Sequence, residues 1–88
     1  RGVYLTFSLI ENKKVFGMMN IGIKPTLNND RETIEVNFFD WEKDLYNKQV
    51  KVYVLNFIRD EKKFTSLIKL EEQIKLDKKT CLKLIDEK

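Results

Sequence analysis

Histidine is absent from the 88 residues of this chain, and cysteine occurs once. Imidazole therefore takes no part in any catalysis or metal binding by the chain. The single cysteine, Cys81, has no partner for an internal disulfide, and in a helix it is expected to be a small core residue. Because disulfides are rare in reducing compartments, this scarcity favours a cytoplasmic protein.

Long apolar runs and a strong charge bias are also lacking. No run approaches the ~18 residues that a membrane-spanning helix needs, and no signal peptide is visible. The 17 basic and 14 acidic residues are mixed along the chain and leave a net charge of +3. That mixture is typical of a solvated surface and not of a nucleic-acid-binding stripe. We expect one domain, with neither a membrane nor a nucleic acid as partner.

The first two thirds of the chain alternate between apolar and polar residues, which predicts antiparallel strands. Four strands are expected, over residues 3–9, 15–21, 33–39 and 50–58. In the first, Val3, Leu5, Phe7 and Leu9 form one apolar face, so this strand should be half-buried.

The connections between these strands carry turn residues. Residues 11–14 are expected to form a polar hairpin turn, and Gly17 predicts a bulge or a close backbone approach. Residues 22–30 are expected to form a loop, because they hold the only proline and the Asn28-Asn29-Asp30 cluster.

After residue 60 the apolar residues recur every three or four positions, which predicts helices. Ser66 is the expected N-cap of the first helix. Asp77 is expected to cap a second, short helix that carries Cys81. Strands followed by helices indicate a mainly β fold, a small antiparallel sheet or barrel with a C-terminal helical cover.

A carboxylate, Glu35, interrupts the apolar alternation of the third strand. In one interpretation it lies on the wet outer face of the sheet, like any strand glutamate. In the other, the strand holds it in a fixed direction, where it can accept the proton of an alcohol that attacks a phosphorus or carbonyl centre. The residues alone leave both interpretations open.

Five segments resemble motifs of the riboflavin kinase family, in the family's order and at its spacing. The motifs are N-I-G-x-R-P-T at 20–26, T-I-E-V-H-L-F-D-F at 33–41, D-L-Y-G-K at 44–48, I-R-x-E-x-K-F-x-S at 58–66 and L-x-x-Q-I-x-x-D at 70–77. The chain departs from them at Asn37, where the family has histidine, and at Asn47, where it has glycine. It is most similar to the kinase domain of the bacterial bifunctional riboflavin kinase/FAD synthetases.

The resemblance implies a small antiparallel, Greek-key-like barrel of six strands with C-terminal helices. It implies ATP-dependent phosphorylation of riboflavin at the ribityl 5′-hydroxyl, which gives FMN, with Mg²⁺ accompanying ATP. An N-terminal adenylyltransferase domain is the implied partner in the parent protein.

The same resemblance implies roles for individual residues. Glu35 matches the proposed catalytic base. Three residues fall where the family contacts the nucleotide: Phe38, Asp40 and Tyr46. Three more fall on the segment that closes over the flavin: Arg59, Lys62 and Phe64. Arg59 either fixes that segment or contacts a polar edge of the flavin, and Phe64 either packs on the flavin ring or staples the following helix. No residue of the chain is assigned to the metal.

In the family, a Gly-rich loop and a P-T-A-N motif precede the strand that matches Gly2-Val3-Tyr4. Residues 1–88 are therefore expected to be the C-terminal part of one kinase domain, without the upstream strand and nucleotide loop, and to be inactive or nearly so in isolation. The alternative is a non-catalytic small β-barrel that binds a partner or single-stranded nucleic acid through Trp41, Tyr46 and Tyr53.

Overall fold

A computed structural model describes residues 1–24, 27–43, 45 and 48–87. Strand β1 spans Gly2–Ile10, β2 Lys13–Lys24, β3 Arg31–Phe38 and β4 Tyr53–Asp60, and helix α1 spans Leu67–Asp86. The fold is mainly β with a C-terminal helix, as the sequence predicts.

The strands form one antiparallel sheet in the order β3-β2-β1-β4. Three consecutive strands are neighbours, and the fourth returns to lie beside the first, which is the Greek-key arrangement. The Greek-key prediction is confirmed. The described residues contribute four strands to this sheet, whereas the resemblance implied six.

The β1–β2 hairpin turns on two residues, Glu11 and Asn12, with φ angles of 51° and 64°. A two-residue turn with both φ angles positive matches the twist of the strands that it joins. Because Lys13 already pairs with Ile10, the turn has two residues and not the four that the sequence predicted.

Strand β1 is covered on both of its faces, so the prediction of a half-buried strand is wrong. Thr6 and Ser8 are fully buried, whereas Leu9, which was expected on the apolar face, is 63% exposed. Val15, directly opposite Ser8 on β2, is buried on that second face as well. This face therefore carries a packed layer of its own.

Gly17 permits a close backbone approach and does not form a bulge. Its pairing with Thr6 on one side and Phe38 on the other is continuous. A Cβ at this position would lie 3.0 Å from the Asn37 carbonyl oxygen. The register shifts occur instead between β1 and β4, where the pairing skips Ile58 and Leu55. Both of these residues pack against the core.

The strand boundaries differ from the prediction by one to three residues, and the largest differences are at the end of β2 and the start of β4. Strand β2 continues through residues 22–24, expected to be loop, because β3 pairs with it as far as Lys24 and Arg31. Strand β4 begins at Tyr53, three residues after the expected start at Val50.

One helix replaces the two that were expected. Ser66 caps it as predicted, since its Oγ accepts a hydrogen bond of 3.2 Å from the Lys69 N–H. Asp77 is not a cap: it lies in the middle of α1 and is 2% exposed. The physical reason is an ion pair with Arg59 of β4, which keeps Asp77 buried against the sheet.

The core lies between α1 and one face of the sheet. Its buried members are Leu5, Phe39 and Cys81, and partly buried side chains surround them: Phe16, Met18, Leu55, Ile58, Leu84 and Ile85. Cys81 is thus a core residue, as expected. Burial, with a smaller contribution from the Asp77 charge, raises the pKa of its thiol to about 11.

Candidate active site

A cavity of about 540 Å³ lies on the helix-facing side of the sheet, beside the N-terminal half of α1. The sheet and α1 form two walls of the cavity, and the segment that joins β4 to α1 forms a third. We call residues 60–64 the flap. The sheet, the flap and the helix contribute these side chains: Val3, Met18, Asn20, Glu35, Asn37, Arg59, Glu61, Lys62, Phe64, Leu70, Ile74 and Asp77.

One cross-strand row carries two of the ionic side chains that the sequence placed in the site, Glu35 and Arg59. Glu35 pairs with Asn20, Asn20 pairs with Val3, and Val3 pairs with Arg59. Directly opposed residues in antiparallel strands project from the same face. Glu35 and Arg59 therefore face the same side of the sheet from its two edge strands, and both line the cavity.

Glu35 is exposed, but it projects into the cavity and not from the opposite face of the sheet. Asn37 follows it on the same face of β3 and lines the cavity too. Side chains in a strand point in a direction that the backbone fixes. The carboxylate is thus accessible to a ligand and mounted on a regular element, which suits a group that takes up a proton.

Arg59 is held by several hydrogen bonds. Its Nε–H points to both carboxylate oxygens of Asp77, at 2.9 and 3.0 Å, and Nη2 donates to Oδ2 at 2.8 Å. Nη1 donates to the Asp60 carbonyl oxygen at 3.1 Å. Gln73 adds a bond of 3.0 Å from its Nε2 to Asp77 Oδ1. These bonds join β4, the start of the flap and α1 at the cavity wall.

Phe64 and Lys62 bring an aromatic ring and an ammonium group to the cavity. The Arg59 guanidinium and the Lys62 ammonium each lie 5.8 Å from the centre of the Phe64 ring. That distance is within the range of cation–π attraction. Glu61 ties the flap to β2, because its Oε1 accepts a hydrogen bond of 3.1 Å from the Ile23 N–H.

Two of the residues predicted to contact the nucleotide, Phe38 and Asp40, do not line this cavity. Phe38 ends β3, with its ring beside Gly17. Asp40, whose φ is 56°, lines a second cavity of about 780 Å³ together with Trp41 and several lysines. Tyr46 lies outside the described residues. The structure thus brings together Glu35, Arg59, Lys62 and Phe64, and it separates them from Asp40.

The described part of the chain offers no group of three or more cysteine, aspartate or glutamate side chains that could hold a metal ion. We therefore assign no metal ligand to it. The same residues contain no helix with the length and apolar character needed to cross a bilayer.

Three polar residues of the cavity wall, and Gln73 beside it, are among those not predicted as site residues. Asn20 faces Glu35 across the strands, Glu61 holds the flap, and Gln73 and Asp77 hold Arg59. Gln73 and Asp77 did carry a signal, since the spacing i, i+4 places them on one face of a helix. Their partner on β4 is not readable from that spacing.

Comparisons with known proteins identify the family of the chain. The family model described as Flavokinase: Riboflavin kinase matches residues 1–85. A protein of Bacillus subtilis named RNA-binding riboflavin kinase RibR is 39% identical over 77 residues, which are 86% of this chain and 34% of that protein. A bifunctional riboflavin kinase/FMN adenylyltransferase of Escherichia coli is 37% identical over 82 residues, 92% of this chain and 26% of that protein.

A solved structure supports the fold. The crystal structure of a protein named macrolide-efflux protein, from Streptococcus pneumoniae, superimposes with a TM-score of 0.79 and 36% identity. It covers 91% of this chain, which spans 26% of that protein. The chain thus matches about a third or less of the length of these relatives.

Proposed function

The chain belongs to the riboflavin kinase family, and on that premise we propose that its cavity binds riboflavin and that Glu35 is the base that activates the 5′-hydroxyl. In this reaction the hydroxyl oxygen forms a bond to the γ-phosphorus of ATP, and the bond from that phosphorus to the β,γ-bridging oxygen breaks. The hydroxyl proton passes to the Glu35 carboxylate. The products are FMN and ADP.

A single observation supports this proposal most strongly: Glu35, Arg59, Lys62 and Phe64 line one cavity although they lie on three different elements of the fold. Phosphoryl transfer depends more on positioning and charge neutralisation than on covalent help from the protein. A carboxylate in a fixed direction and cationic groups across the cavity supply both.

The flap supplies the proposed flavin contacts. Phe64 offers an apolar ring to the flat isoalloxazine, and Lys62 offers a donor at the rim. Arg59 has five N–H groups. Three of them point to Asp77 or Asp60, so two are left to face a carbonyl oxygen of the flavin.

We place the adenine nucleotide on the side of Phe38, Asp40 and Tyr46, and we expect Mg²⁺ to arrive with ATP. Because the chain spans a minor part of its relatives, we propose that it works within a longer cytoplasmic protein, joined to an adenylyltransferase domain as in the bifunctional relatives. The 88 residues alone should bind or turn over substrate weakly or not at all.

The test is FMN formation from riboflavin and ATP, followed by chromatography, with the full parent protein and with residues 1–88. Turnover by the parent and its loss in the isolated chain support the proposal. Absence of FMN with the parent contradicts it.

A second arm of the test concerns binding. Riboflavin fluorescence should be quenched when the parent protein is added. One relative is named RNA-binding, so labelled single-stranded oligonucleotides are titrated as well. Salt-sensitive oligonucleotide binding without flavin quenching would instead indicate a nucleic-acid-binding module.

A further inference from the structure

The flap has an internal support in the Arg59 side chain. We propose that Asp77 is a positioning residue for the flavin site: through Arg59 it holds the flap in the conformation that presents Phe64 and Lys62 to the cavity. The kinetic part of this inference rests on the proposed function, whereas its structural part does not.

Arg59 contacts both ends of the flap. Its Nη1 donates to the carbonyl oxygen of Asp60, the first flap residue, at 3.1 Å. Its guanidinium carbon lies 5.8 Å from the ring centre of Phe64, the last flap residue. The flap is therefore folded around the guanidinium, and its conformation depends on where that group is held.

Asp77 fixes the guanidinium in one place. It is 2% exposed and engages Nε and Nη2 together, in the two-pronged geometry that gives arginine–carboxylate pairs their directionality. Gln73 donates to the same carboxylate, one helical turn earlier, and so limits its rotation. A guanidinium held in this way cannot swing without taking the ion-pair partner away from a buried carboxylate, which is costly.

The flap itself has an irregular backbone. Its residues lie in neither a strand nor a helix after Asp60, and Lys62 and Lys63 are exposed. Exposed segments without regular structure open locally at low free-energy cost. A support from the rigid helix is therefore what would keep Phe64 at the cavity.

The main variant is Asp77→Asn, which keeps the shape of the side chain and removes its charge. The matched control is Glu72→Gln, the same kind of change at an exposed position of α1 outside the cavity. A second variant, Arg59→Lys, keeps a positive charge opposite Asp77. A lysine is a point charge without a planar fork, so it cannot reach Asp77 and the Asp60 carbonyl together.

Flap opening is measured by limited trypsin digestion of the full protein, with cut sites assigned by mass spectrometry. Cleavage after Lys62 and Lys63 is compared with cleavage after Lys78 and Lys79, which are exposed on α1. For Asp77→Asn and Arg59→Lys, we expect the flap-to-helix cleavage ratio to rise about tenfold, the factor expected from one lost charge-assisted hydrogen bond. Glu72→Gln should match the unaltered protein.

Kinetics then separate positioning from chemistry. In Asp77→Asn and in Arg59→Lys, KM for riboflavin should rise about tenfold while kcat changes about twofold or less, because binding and not the transferred proton is affected. An unchanged cleavage ratio in Arg59→Lys overturns the inference, even where Asp77→Asn fails to fold. If the parent makes no FMN, the proposed function fails, and the cleavage ratio still decides whether Asp77 holds the flap.

Discussion

Glu35 and Arg59 lie in the same cross-strand row, on the two edge strands of the sheet, with Asn20 and Val3 between them. Their common orientation follows from the register of three strand pairs and not from any local motif. A shift of one residue in any of these pairs would turn one of the two side chains to the other face. The site therefore depends on the integrity of the whole sheet.

Replacement of the carboxylate by an amide tests the role of Glu35. In Glu35→Gln we expect kcat for riboflavin phosphorylation to fall about 10²- to 10⁴-fold, the usual contribution of a general base. KM for riboflavin should change little, because the amide keeps the size of the side chain. Steady-state FMN formation measures both constants.

The control for this variant is Glu32→Gln on the same strand. Glu32 projects from the opposite face and pairs with Arg1 at the surface, at 3.2 Å. The control should keep the activity of the unaltered protein. Equal activity of Glu35→Gln and Glu32→Gln would remove Glu35 from the mechanism.

Loss of the aromatic ring at Phe64 should weaken flavin binding. We expect Phe64→Leu to raise the riboflavin dissociation constant roughly 3- to 10-fold, since an aromatic pair is worth about 0.5–1.5 kcal/mol beyond the apolar area that leucine retains. Fluorescence quenching measures the constant. Phe57→Leu is the control, because Phe57 is an exposed ring that packs edge-on against Tyr4, on the other face of the sheet. A loss of affinity in Phe57→Leu alone would contradict the prediction, because it would indicate that the flavin binds to the face of the sheet that carries Phe57.

Two glycines of β2 should respond differently to alanine. The added Cβ at Gly17 would meet the backbone carbonyl oxygen of Asn37 at 3.0 Å, and a paired strand cannot move freely. We expect Gly17→Ala to lower the free energy of unfolding by about 1–3 kcal/mol, as overpacking does. At Gly22 the nearest atom is the Glu61 carboxylate at 3.3 Å, at the end of a flexible side chain, so Gly22→Ala should cost less. Urea denaturation of both variants gives the comparison, and the reverse order would contradict it.

Because the Cys81 thiol is buried, we expect the free energy of unfolding to depend on pH in the alkaline range. Burial raises the pKa of Cys81 from 9.0 to about 11, so the folded chain keeps a proton that the unfolded chain loses. The resulting stabilisation is fully present below pH 9 and is lost as the pH rises towards 11. The difference in free energy of unfolding between the unaltered protein and Cys81→Ala should therefore shrink across this interval. A constant difference would show that the thiol titrates normally.

Much of the fold follows from local patterns. Alternation located the four strands, and the change of period located the helix and its Ser66 cap. The end of β2 was harder to predict from the sequence, because its last residues adopt the strand conformation through their pairing with β3. Buried Thr6 and Ser8 were misread for a similar reason: small hydroxyl residues look polar in a pattern but fit a covered face.

The site was predictable in part. Glu35 and the flap residues carried a family resemblance, and the structure places them in one cavity. Asp77 was misread as the N-cap of a second helix, since an aspartate just before a helical run of apolar residues is a strong capping signal. Its actual environment depends on Arg59, which is distant in sequence and next to it in space. Partners of this kind are fixed by topology and not by spacing.

The Greek-key order has a kinetic consequence. Strand β4 pairs with β1 only after the chain has closed a long connection, and contacts of high sequence separation slow folding. A chain without the β1–β4 pairing would lack the cavity that we propose for the flavin, because Arg59 and the flap would then be detached from β1. Under the proposed function, riboflavin bound to the parent protein should accordingly slow unfolding without accelerating refolding, so that the ligand prolongs the lifetime of the folded domain and leaves the rate of its formation unchanged.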